Sequence, residues 1–195
     1  MTGSRNDKKD TLLSLYQDKR TVFRLVDVAM IASETDRRSL AKKLNYYVGK
    51  GELQNPRKGI YTKPGYNPEE LACRVYSPSY VSLEYVLARS GVIFQYDQQL
   101  TVVTYLSRTI EMDDLSFRYR KIKDKVLANG MGIAQTAGQA TMASAERAFL
   151  DMLYLDPGFY FDNPGILDRK LLKKLLPVYQ SKALSKRASK IVGDD

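Results

Sequence analysis

An α+β fold in two domains is predicted for this chain by three observations. A basic amphipathic segment, residues 37–48, is followed by glycines and by a basic turn set between β-prone runs. Further on, strand-like runs at 100–105 and 116–122 are interspersed with helical signals, so neither kind of element stands alone. Charge, finally, falls in blocks: +7 over residues 1–66, −3 over 67–165 and +5 over 166–195. The turn-rich stretch Lys63-Pro64-Gly65-Tyr66-Asn67-Pro68 places the boundary, giving domains 1–66 and 67–195.

Composition narrows the chemistry. With 195 residues, 44% of them hydrophobic, the chain can bury a core. A net charge of +9 draws it toward polyanions. Histidine is absent and Cys73 is the single cysteine, which removes Ser-His and Cys-His catalysis, the usual zinc sites and any intrachain disulfide. No cofactor or metal is therefore expected. No run approaches the length of a spanning helix and the polar start does not read as a signal sequence, so a cytoplasmic protein without a membrane partner is expected.

The N-terminal elements follow in order. Residues 7–16 place Leu12, Leu13 and Tyr16 at helical spacing, and Leu25–Ala32 is a second apolar helical segment. The corner Ser33-Glu34-Thr35-Asp36 then offers Thr35 or Asp36 as the cap of a third helix. On that helix Leu40, Leu44, Tyr47 and Val48 share an inward face. Arg38, Ser39, Lys42, Asn45 and Tyr46 lie opposite, a mixture able to neutralise phosphates and hydrogen-bond base edges. An ordinary solvated helix alternates Glu with Lys, yet no acid stands between Asp36 and Glu52.

After Gly49 and Gly51, Glu52-Leu53-Gln54 and Ile60-Tyr61-Thr62 flank Asn55-Pro56-Arg57-Lys58-Gly59, read as a hairpin with Arg57 and Lys58 at its tip. Helix-turn-helix followed by a basic-tipped hairpin is the winged-helix order, which predicts DNA binding. The fold class is thus α+β, with an N-terminal winged helix-turn-helix, a mixed α+β C-terminal domain and terminal helices. The expected DNA contacts are Arg37, Arg38, Ser39, Lys42, Asn45 and Tyr46 on the helix, Lys43 toward the backbone, and Arg57 and Lys58 on the wing.

In the second domain a helix is expected over 81–90, closed by Gly91, and strands at 100–105, 110–112 and 116–122. The glycines 130, 132 and 138 match no phosphate-loop spacing and read as a flexible connection. Ser144 caps a helix with Glu146 in its first turn, and Phe149, Met152 and Leu153 inward. Helices over 168–176 and 178–191 close the chain, with the Lys-, Ala- and Ser-rich stretch 181–190 read as a frayed tail or as a further phosphate-contacting segment.

The order of these features resembles the AbiEi-type antitoxins, the transcriptional regulators of AbiE abortive-infection toxin–antitoxin systems. "VGKGELQNPRKGIYTKPG", "YVSLEYVLARSG", "LTVVTYLSRT" with "FRYRKI", and "SAERAFLD" carry the resemblance over nearly the whole chain, with Ala145 where the family pattern has a proline. It implies a non-enzymatic antitoxin that represses its own promoter, at a repeat-containing operator, and counters a nucleotidyltransferase-like toxin. Two readings from other classes remain open: a DNA-processing enzyme holding magnesium on Glu111, Asp113, Glu146 or Asp151, and a basic protein of an RNA assembly.

Overall fold

A computed structural model describes residues 10–94 and 99–193. The first turn of the helix expected from Asp7 lies outside the described residues. The chain is a mixed α+β protein whose Cα framework divides into one compact unit ending at Asn67 and another beginning at Pro68.

In the first unit, Asp10 caps α1 (Thr11–Gln17), its carboxylate accepting from the Leu12 amide at 3.0 Å. A strand that the sequence pattern does not announce follows, β1 (Val22–Arg24), three residues being too few for alternation to register. Then come α2 (Leu25–Ala32) and α3 (Arg37–Gly49). Ser33, between them, takes the left-handed conformation at φ 51, which turns the chain sharply. The hairpin β2 (Gln54–Arg57) and β3 (Ile60–Thr62) joins β1 in an antiparallel sheet of order β1-β3-β2. Leu15, Phe23, Val28, Leu40, Leu44, Leu53 and Tyr61 form its core.

The hairpin is shorter at its turn than expected. Asn55 and Pro56 are in the strand, leaving Lys58-Gly59 as the tip, with Gly59 at φ 81. Pro56 is tolerated because β2 is an edge strand and needs no inward N–H at that position. Register shifts between Gln54 and Arg57, and the Asn55 amide closes the irregularity by donating to the carbonyls of Arg57 at 3.0 Å and Ile60 at 2.7 Å.

The second unit opens with α4 (Pro68–Val75), which starts at the last residue of the turn-rich stretch and is a helix that the sequence reading does not include. Its sheet has the order β6-β7-β5-β4-β9-β8, from β4 (Ser79–Val81), β5 (Leu100–Thr104), β6 (Arg108–Met112), β7 (Leu115–Lys121), β8 (Ile133–Gln135) and β9 (Thr141–Ala143). β5, an interior strand, is buried at every position, and its two threonines are satisfied there, Thr101 Oγ1 donating to the Ser82 carbonyl at 2.6 Å and Thr104 Oγ1 to the Pro78 carbonyl at 2.8 Å. Because Tyr80 and Val81 join that sheet, the helix expected from residue 81 begins later, as α5 (Glu84–Arg89). A short α6 (Asp124–Leu127) precedes the glycine-rich stretch, which is not a flexible link: it carries the β8–β9 edge hairpin.

The central helix α7 (Ala145–Leu155) is capped by Ser144, whose Oγ accepts from the Arg147 amide at 3.2 Å. It packs with α5, α8 (Arg169–Leu175) and α9 (Lys182–Val192). The expected helix over 178–191 is interrupted: a 3-10 turn occupies Leu176–Tyr179 before α9 starts. Nor is α9 a frayed tail, since Leu184 and Ala188 are buried and Arg187 Nη1 donates to the Leu153 carbonyl at 3.0 Å.

Candidate nucleic-acid interface

Asp36 sets α3 in place, its Oδ1 accepting from the amides of Arg38 at 2.9 Å and Ser39 at 3.3 Å. Leu40 and Leu44 are buried, while Tyr47 and Val48 are half-buried, which fixes the inward face. At about 100° per residue, Arg38, Lys42 and Asn45 fall together on the opposite side, with Ser39 and Tyr46 on its flank. All five are exposed, Tyr46 by 57%.

Arg37 is exposed in the first helical turn beside Arg38. That turn contains no acid, although the positive end of a helix dipole favours carboxylates and disfavours guanidinium groups. Among the described residues Arg37, Arg38, Lys42 and Lys58 form no ion pair, whereas Arg20 is bound to Asp18 at 2.7 Å and Lys63 donates to the Asp18 carbonyl at 2.6 Å. The four cations are thus held by the fold at positions where their charge faces solvent, the arrangement suited to an anionic ligand.

Two of the predicted contacts stand elsewhere. Lys43 turns toward α1, its ammonium donating to Thr11 Oγ1 at 2.9 Å, because it lies about 100° round the helix from Lys42. Arg57 is half-buried at the end of β2 opposite Ile60, so Lys58 alone represents the expected basic pair at the exposed tip.

The structure adds two groups. Lys50 places its ammonium 4.6 Å from the Tyr46 ring centroid, and hydrogen bonding to Tyr46 raises the lysine pKa. Their four-residue spacing was the available signal. Tyr61, buried on β3, sends its hydroxyl to Asn45 Oδ1 at 3.3 Å, and burial raises the phenol pKa, so that the hydroxyl keeps its proton. Nothing in local spacing connects those two residues.

In the second unit the carboxylates considered for magnesium do not gather. Among the described residues no group of three or more Cys, Asp or Glu could hold a metal ion. Asp151 is fully buried and paired with Arg147 at 3.3 Å, and Glu146 Oε1 accepts from the Asp168 amide at 3.1 Å. Cys73 is a half-buried thiol pushed up to about 11 by burial, donating to the Thr141 carbonyl at 3.4 Å. None of the described helices is long and apolar enough to cross a membrane.

No family model and no curated protein matches the chain. The crystal structure of the RV2827C protein from Mycobacterium tuberculosis is similar, with a TM-score of 0.53 over 93% of this chain and 74% of that one, at 14% identity. A likeness at this identity concerns the fold alone.

Proposed function

We propose that this chain is a DNA-binding autorepressor and antitoxin of the AbiEi type. In this reading the first unit is a winged helix-turn-helix: α3 enters the major groove, and the β2–β3 hairpin is the wing that brings Lys58 to the adjoining backbone. Arg38, Lys42, Asn45, Ser39 and Tyr46 provide phosphate and base contacts, with Arg37 at the helix start. The second unit supplies the non-enzymatic antitoxin function against a nucleotidyltransferase-like toxin, a role that rests on the resemblance of its sequence segments. The cytoplasm is the compartment in which both roles operate.

One observation carries the DNA reading. α3 begins with two solvent-facing arginines and no acid in the turn where helix stability favours one, and its outward face runs from Arg38 to Lys42 with no ion pair to either among the described residues. Binding of the purified protein to its own upstream DNA and to an unrelated duplex, over a salt series, tests it. A preference for the upstream DNA that persists near physiological salt is expected; equal, steeply salt-sensitive binding to both would withdraw the repressor assignment. Co-expression with the neighbouring gene tests the antitoxin half, with rescue of growth as the expected result.

A further inference from the structure

Asn45 differs from the other outward residues of α3 in being held from below. Its Oδ1 accepts the Tyr61 hydroxyl at 3.3 Å. Tyr61 cannot readily follow a moving partner, since its ring belongs to the core with Phe23, Leu40 and Leu44 and only 4% of the residue is exposed. β3, which carries it, is the middle strand of the sheet, paired on one side with β1 and on the other with β2. The hydroxyl is therefore fixed in place, and the amide that meets it turns its oxygen toward the sheet and its NH₂ toward solvent.

We infer that Tyr61 is a positioning residue that presents Asn45 as a hydrogen-bond donor, so that Asn45 selects a base edge offering adjacent acceptors, guanine N7 and O6, over adenine. This rests on the DNA-binding reading above. A free asparagine pairs bidentately with adenine by accepting from N6 and donating to N7. Here the accepting oxygen is already directed at Tyr61, and turning the amide to offer it to adenine would set NH₂ against the phenol oxygen and take away the acceptor of the buried O–H. Guanine asks only for donors. The geometry also links the two parts of the unit, because the residue that sets the reading sense of α3 lies on the strand that forms the hairpin with β2.

Selection from a randomised duplex pool, followed by titration of single-base variants, tests this with the full chain, Tyr61→Phe, Asn45→Ala and the double variant. Tyr61→Phe removes one oxygen and leaves the ring in the core. The expected result is a guanine preference at one position in the wild type that falls at least threefold in Tyr61→Phe, with the other positions and the salt slope unchanged. Asn45→Ala should lose the same position, and adding Tyr61→Phe to it should cause no further change there. Full retention of the guanine preference in Tyr61→Phe, or an adenine preference at the position lost in Asn45→Ala, would overturn the positioning role while leaving the repressor reading intact. Absence of any sequence preference in the wild type would overturn both.

Discussion

The guanidinium of Arg147 and the carboxylate of Asp151, one turn apart on α7 and both fully buried, meet at 3.3 Å. Each remaining guanidinium N–H also has an acceptor: the carbonyls of Asn129, Met131 and Val126 and the hydroxyl of Tyr80. Asp151 in turn accepts from Tyr179 at 2.7 Å and Ser82 at 2.9 Å. The ion pair ties α7 to β4, to the segment after β7 and to the turn before α9. Breaking such a pair from one side leaves a charge in the core without its counter-ion. Asp151→Asn should therefore cost about 3–5 kcal/mol in urea unfolding, against under about 1 kcal/mol for the half-exposed Glu146→Ala. Comparable small losses in both variants would show that the buried pair does not anchor this unit.

How far this was legible in the sequence depends on the range of the forces involved. The four-residue spacing of Arg147 and Asp151 is visible in "SAERAFLD", but their burial depends on carbonyls at 126, 129 and 131 and hydroxyls at 80 and 179. The same holds for the candidate interface. The inward stripe of Leu40 and Leu44, and hence the outward position of Arg38 and Lys42, follows from helical period alone. The Tyr61–Asn45 bond joins different elements and has no periodic trace. Pro56 misled in the opposite direction: it signals a turn locally, and only the edge position of β2 makes it compatible with a strand.

Lys42 and Arg38 should separate by their salt behaviour. Lysine contributes a point charge, so Lys42→Ala should weaken specific and unrelated duplexes alike and reduce the slope of log K against log salt by about 1. A bidentate arginine contact to guanine would be lost only from the preferred duplex, so Arg38→Ala should cost about 1–3 kcal/mol there and relax one base position. Fluorescence anisotropy over a salt series measures both. Unchanged affinity in the two variants would remove α3 from the interface.

Asp18 gives the first unit an acid-sensitive contact. Its carboxylate accepts from Arg20 Nε at 3.0 Å and Nη2 at 2.7 Å, and this hydrogen bonding holds its pKa below the ordinary carboxylate value. A lowered folded-state pKa stabilises the protein above the unfolded-state value, and that contribution disappears as pH falls through the folded one. Asp18→Asn should accordingly cost up to about 1 kcal/mol at pH 7, while the difference from wild type closes below roughly pH 3–4. Thermal unfolding at a series of pH values checks the sign; a gap that widens on acidification would contradict it.

Gly130 and Gly132, two positions apart in the stretch before β8, should respond oppositely to alanine. At Gly130 an added Cβ meets nothing within 4 Å, so the substitution chiefly restricts the unfolded chain and should be neutral or stabilising by up to about 1 kcal/mol. Gly132 has φ +74, and its Cβ would stand 3.0 Å from Leu175 Cδ2 and 3.1 Å from Arg147 Cβ. The leucine tip can yield, but Arg147 is held by its buried hydrogen bonds and the backbone conformation disfavours any side chain. Gly132→Ala should lower stability by about 1–3 kcal/mol. Equal melting temperatures for the two variants would mean that this glycine is a spacer; a selective loss at 132 would show that position 132 is glycine because backbone must pass close against Arg147.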